Sequence, residues 1–271
     1  MEPTVQDIIT IVEILAPPHT AETWDNSGFQ LGDRSASVRK VAVSLDATPT
    51  VIRGAVSQGA DLLVTHHPLI FPYITRIDRA TAIGTAITRA LSNGLSIYCS
   101  HTPLDHSSRG TNLALSLMLK LSSPVPVPGQ SGAETSLDMS DGIVFTGTLD
   151  SPMILSAFAE HVRDTLGATH VRYVGDGESQ VQTVSVCGGS GGDFIDRAGK
   201  LGADVFVTGE IKHHQALAAF DMGMNIVEAG HYHTEWCTVP HMEKIIREGA
   251  EQNGFTIEVE IISAPSPFVS I

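Results

Sequence analysis

Gly59-Ala60-Asp61-Leu62-Leu63-Val64-Thr65-His66-His67-Pro68 is the stretch that decides the fold. A glycine closes a helical pattern, and a short apolar run then reads as a buried strand with two histidines directly behind it. Working back from it, Thr48 caps a helix with Pro49 just inside, running to about Gly59. Before that, Val41-Ala42-Val43-Ser44-Leu45 alternates and is rich in β-branched residues, as a strand should be, and Asp46 marks its end. Working forward, a helix from about Arg79 is capped by Asp78 and closed by Asn93-Gly94. The strand Leu95-Ser96-Ile97-Tyr98-Cys99 follows, with His101 and Asp105 just past its end. Strands alternating with helices predict an α/β fold with mixed, largely parallel sheets.

The pattern recurs. Gly202-Ala203-Asp204-Val205-Phe206-Val207-Thr208 echoes residues 59–65, Val184-Ser185-Val186 echoes Val41-Ala42-Val43, and Gly223-Met224-Asn225-Ile226-Val227 echoes Gly94-Leu95-Ser96-Ile97-Tyr98. Two related αβ lobes are the economical explanation. Outside the repeats, residues 4–16 read as a helix with a capping-box-like start at Thr4 and Asp7 and a stop at Pro17-Pro18. A helix is expected from about Thr111 to Leu121. The Pro-dense residues 122–129 then read as a semi-rigid linker opening the second lobe. That lobe starts with a strand from Ile143 to Thr148, a helix from about Pro152 to Leu166 and a strand from His170 to Val174.

The 271 residues suffice for two modest cores. A net charge of −14, with no long Lys or Arg run, argues against a nucleic-acid partner. No apolar run approaches the roughly 18 residues of a membrane span, and the first residues carry acids where a signal peptide is basic, so a soluble cytoplasmic protein is expected. Cys99, Cys187 and Cys237 are far apart and odd in number, which predicts buried or free thiols rather than a disulfide framework.

Ligands of open parallel sheets bind beyond the carboxyl ends of the strands. His66, His67, Asp105 and His231 all fall at such ends, and Glu235 lies four residues past His231, on the same side of a helical turn. Three imidazoles and two carboxylates suit two divalent ions such as Zn, Fe, Mn, Co or Ni, with open coordination positions. Such centres activate water and polarise the atom under attack, which implies hydrolysis. Each residue alone has a plainer explanation: a histidine capping a strand, a turn aspartate, a chance HxxxE. The aromatic residues Trp24, Tyr98 and Tyr232 read as core or site-wall packing rather than substrate stacking.

Trp24-Asp25-Asn26-Ser27-Gly28, the segment Gly59 to Pro68, Ser100-His101-Thr102-Pro103-Leu104-Asp105, Thr208-Gly209-Glu210 and Gly230-His231-Tyr232-His233-Thr234-Glu235 occur in this order. Together they resemble the dinuclear-metal-centre family of GTP cyclohydrolase I type 2 homologues, also called Ngg-one-interacting-factor-three-like proteins, in a short form without an inserted domain. The resemblance implies His66, His67, Asp105, His231 and Glu235 as metal ligands, with His101 standing behind the ligands or handling protons. It also implies a first lobe of residues 1–124 rejoined by 231–271, a second lobe of 125–230, and a metal site at the strand ends between the lobes. A homohexamer is implied as well. His213 and His214 are expected to line or support the second lobe rather than bind metal. Two functions follow as expectations: a dinuclear metal-dependent hydrolase of a small, nucleotide-like substrate, with His101 and Glu235 handling protons, or a non-enzymatic metal-binding ring or scaffold that binds other proteins.

Overall fold

The computed structural model describes residues 2–127 and 142–269. In chain order the elements begin with α1 (Val5–Leu15), β1 (Gly28–Leu31), β2 (Lys40–Ser44), α2 (Pro49–Ser57), β3 (Leu62–Thr65), α3 (Ala82–Ser92), β4 (Ser96–Cys99) and α4 (Thr102–His106). They continue with α5 (Thr111–Met118), β5 (Ser122–Pro126), β6 (Phe145–Ile154), α6 (Leu155–Leu166), β7 (Arg172–Val174), β8 (Gln180–Cys187), α7 (Ile195–Lys200) and β9 (Val205–Thr208). The last are α8 (His213–Asp221), β10 (Asn225–Glu228), α9 (His231–Glu235), α10 (Thr238–Gln252) and β11 (Glu258–Ile261). The fold is mixed α/β with two mixed sheets, in two compact units.

The first unit comprises residues 2–104 and 238–265. Its sheet runs β1-β4-β3-β2-β11, and only the β1–β4 pairing is antiparallel. The helices α2 and α3 bury Val51, Ile52, Ala86 and Ala90 against Leu63 and Ile97 of the sheet. Helix α1 begins with the expected capping box: Asp7 N–H donates to Thr4 Oγ1 at 3.3 Å and Thr4 N–H to Asp7 Oδ2 at 2.8 Å. Those hydrogen bonds from Thr4 hold the Asp7 carboxyl below the usual range. Helix α3 starts later than the pattern predicts. Asp78 closes a turn by accepting from Ala80 N–H, and the capping passes to Thr81, whose hydroxyl accepts from Gly84 N–H at 3.1 Å.

The second unit comprises residues 105–127, 142–237 and 266–269. Its sheet runs β5-β6-β8-β9-β10-β7, with β8, β9 and β10 parallel and the flanking pairings antiparallel. The expected mixed sheets are present in both units, with the parallel part spanning most of the first sheet and the centre of the second. The boundaries also differ from the expected 124/125 and 230/231. Helix α5 belongs to the second unit because Ala114, Leu115 and Leu119 pack with Phe145, Phe158 and Val184. At the other end, α9 is bonded to this unit: Thr234 Oγ1 accepts from Gly189 N–H at 3.1 Å, and Gly230 N–H donates to Gly209 O at 3.0 Å.

Two further expectations are corrected. Ser122–Pro126 is not a linker but the edge strand β5, paired with β6 through Val125↔Thr146 with an irregularity near Pro124. Proline is admissible there because an edge strand has one side with no ladder to supply. Pro128 and Gly129 of the proposed linker lie outside the described residues. Likewise β6 continues through Pro152 to Ile154, so α6 begins at Leu155. All three cysteines are buried thiols, as expected. No helix among the described residues is long and apolar enough to cross a membrane.

Candidate metal centre

In the first unit, β3 ends at Thr65, whose hydroxyl donates to the His67 carbonyl at 2.8 Å, while His67 N–H donates to Leu45 O at 2.9 Å. These bonds turn the chain so that consecutive histidines stop alternating between sheet faces and bring their rings to 5.1 Å. His66 is fully buried. Its Nδ1 lies 3.0 Å from the Ser100 carbonyl, an oxygen that only accepts, so Nδ1 carries the proton and Nε2 is the basic nitrogen of the neutral ring. His67 Nδ1 lies 2.8 Å from Asp46 Oδ1, at the end of β2, and the same argument applies.

His101 follows β4 and joins the pair, with ring centroids 5.2 Å from His66 and 5.4 Å from His67. Its Nδ1 is 2.9 Å from Asp25 Oδ1. Asp25 is itself held by Thr102, whose N–H and hydroxyl donate to Oδ2 at 3.1 and 2.6 Å. Burial acts to raise the Asp25 carboxyl, but the hydrogen bonds from His101 and Thr102 outweigh it and hold the group below its usual range. One ligand atom from each of His66, His67 and His101 lies within 4.8 Å of the others, a grouping able to hold a metal ion.

In the second unit, Asn112 ties the Asp105 turn to the end of β8: its amide donates to Asp105 O at 3.2 Å and its Oδ1 accepts from Gly188 N–H at 2.8 Å. Gly230, at φ +86°, lets the chain leave β10 and start α9 at His231. One helical turn then sets His231 Nε2 3.0 Å from Glu235 Oε2. On its other side His231 Nδ1 lies 3.5 Å from Glu210 Oε2, which accepts from the Ser190 hydroxyl at 2.9 Å. Gly189 sits at φ +62°, which favours glycine, and a Cβ there would stand 2.2 Å from Glu235 Oε1 and displace that carboxylate. Burial, and then the Asp105 and Glu235 carboxylates, push the Cys187 thiol well up, which fits a small apolar role for that residue.

The expected residues thus divide: His66, His67 and His101 belong to the first unit, and Asp105, His231 and Glu235 to the second. His213 and His214 are exposed at the start of α8. Tyr98 is core, 1% exposed, whereas Trp24 is 55% exposed with its ring edge-on to His101. The orienting carboxylates Asp25, Asp46 and Glu210 were not anticipated from the sequence. The available signal was their position, each in a loop beside a strand that ends in a histidine or at its own strand's end.

A family model described as Duf34/NIF3 (NGG1p interacting factor 3) matches residues 3–267. The chain belongs to that family. Among NIF3-family relatives, a Clostridium perfringens protein described as "GTP cyclohydrolase 1 type 2 homolog" is 32% identical over 90% of this chain and 91% of its own length. A Staphylococcus aureus hypothetical protein of known crystal structure matches with a TM-score of 0.93 and 28% identity, covering 100% of both chains. A Bacillus cereus protein related to NIF3 matches with a TM-score of 0.90 and 25% identity, again over 100% of both.

Proposed function

We propose that this NIF3-family chain is a cytoplasmic, homohexameric, metal-dependent hydrolase of a small, nucleotide-like molecule, with two divalent ions held by His66, His67, Asp105, His231 and Glu235. The observation that carries it is the orientation of the histidines. Nδ1 of His66 and of His67 each meets an oxygen acceptor, so the rings offer Nε2, the arrangement that outer acceptors impose on metal-binding imidazoles. Asp105 and Glu235 add hard oxygen donors, and the mixed set suits Zn, Fe, Mn, Co or Ni. When bound, such ions acidify water and polarise the atom under attack.

The chain's own residues supply the rest. Asp46 and the Ser100 carbonyl hold the His67 and His66 rings against rotation. His101 Nε2 accepts and returns a proton, and the Asp25 carboxylate at its Nδ1 stabilises the imidazolium that forms. The Glu235 carboxylate, 3.0 Å from His231 Nε2, is the second proton-handling group. The description carried by the Clostridium perfringens relative directs the substrate search to GTP first.

The test is metal content per chain by elemental mass spectrometry of protein purified without chelator, beside the His66→Ala/His231→Ala double variant. About two equivalents falling towards zero supports the centre, and negligible metal in both after reconstitution sinks it. Turnover of GTP or another nucleotide that disappears in His67→Ala and Glu235→Ala supports the hydrolase. The interaction in the family's own description favours a second reading, a metal-binding scaffold. Metal-loaded protein that captures a protein partner and turns over no nucleotide selects that reading instead.

A further inference from the structure

The loop that holds Asp25 buried leaves its neighbour Trp24 55% exposed, although large aromatics are ordinarily the side chains that gain most from burial. The loop is not slack. Glu22 N–H donates to Thr102 Oγ1 at 3.0 Å, Asp25 N–H to Glu22 O at 2.9 Å, and His101 N–H to Ser27 Oγ at 3.0 Å. Asn26 donates to Ile70 O at 2.7 Å and so ties this loop to the one bearing Phe71. The indole meets two rings edge-on, His101 at 5.8 Å and Phe71 at 6.2 Å, both at 74°. Phe71 is itself 54% exposed. Hydrogen bonding therefore fixes an open aromatic wall directly against His101, one of the three clustered imidazoles. Ligand sites pair such apolar walls with a few converging polar groups, and a planar ring is the partner an indole face selects.

We propose that Trp24, flanked by Phe71, is a specificity-determining residue that stacks a planar heteroaromatic ring of the ligand beside His66, His67 and His101. The inference rests on the hydrolase reading above for its ligand class and deepens it. Trp24 provides the stacking face, Phe71 widens it, and Asp25, next in the chain, orients His101, so that one loop sets both the ring's position and the neighbouring imidazole.

The experiment titrates guanosine into the protein carrying Trp236→Phe, which leaves Trp24 as the chain's single indole, and follows tryptophan fluorescence, with ribose as the ring-free control. Guanosine should quench saturably and ribose should not. In otherwise wild-type protein, Trp24→Leu should weaken guanosine binding about 5- to 100-fold, the range of one lost base–aromatic stack, and Trp24→Phe should restore most of it. Phe71→Ala should weaken it less. Unchanged affinity in Trp24→Leu, absence of quenching at high guanosine, or a Trp24→Leu effect confined to oligomeric mass would each overturn the proposal, the last by making Trp24 a contact between copies. Metal counted on the same samples separates the two ideas. Two equivalents with Trp24-independent binding removes the stack alone, and Trp24-dependent binding without metal removes the metal reading alone.

Discussion

In the first βαβαβ repeat, residues 40–99, the Asp61 carboxylate accepts the backbone N–H groups of Arg39 and Lys40 at 2.8 and 3.0 Å. In the second, residues 180–228, Asp204 accepts those of Gln182 and Thr183 at 2.9 and 2.7 Å. Gly59 and Gly202 share φ +72°, and Gly94 and Gly223 lie at +69° and +70°. The strands pair alike too, Ser44↔Thr65 and Thr65↔Cys99 against Cys187↔Thr208 and Thr208↔Glu228. The repeats part at the next residue. After Thr65 come His66 and His67; after Thr208 come Gly209 and Glu210. A Cβ on Gly209 would stand 2.6 Å from Gly189 O and 2.8 Å from His231 Cα, because α9 is seated there. One scaffold thus ends in imidazoles in the first unit and, in the second, in a glycine socket for the helix that carries His231 and Glu235.

That contrast can be broken most forcefully by making the second repeat like the first. Gly209→His should destabilise the second unit by about 3 kcal/mol, as overpacking against backbone does, with a clear fall in denaturant midpoint. A benign substitution would show that the socket is not what distinguishes the repeats. Next in size, Asp46→Ala removes the acceptor that orients His67 and should lower metal affinity about 10- to 100-fold with little change in melting temperature. Unchanged affinity in a metal titration would deny that the strand-end carboxylate tunes the site.

The shared part of the scaffold predicts equality. Asp61→Ala and Asp204→Ala each strand two backbone donors and should each cost about 1–2 kcal/mol in chemical denaturation. A cost in one and not the other would mean that the repeat is a resemblance of shape only. The smallest effect belongs to a feature outside both repeats. Asp7→Ala should cost about 0.5 kcal/mol by removing the N3 half of the α1 capping box, while Thr4 still caps the helix. The Asp7 carboxyl is held below its usual range in the fold, so its contribution is present above that range and is lost as pH falls through it. The gap between wild type and variant should therefore close below about pH 4.

Much of this was legible because it is local. A glycine after a helix, an aspartate before a strand and a histidine directly behind it are set by neighbours in the chain, so the repeats, the α1 capping box and the His231/Glu235 turn could be anticipated. Helix α3 was misplaced by three residues because Asp78 and Thr81 both have capping chemistry, and only the backbone geometry chooses between them. The partnership of Asp25 with His101 spans 76 positions in the chain, and no local signal joins them.

By itself, the sequence determined the order of strands and helices within the two repeats, the residue types offered at their strand ends, and the two-fold repetition, since these depend on periodicity and on side-chain chemistry within a few residues. Only the tertiary structure decided that α5 belongs with the second sheet, that the proline-rich stretch is an edge strand, and which carboxylate orients which imidazole. An amphipathic helix shows that it must bury a face but not against which sheet, and a carboxylate finds its histidine through a folded path that the chain's order does not spell out.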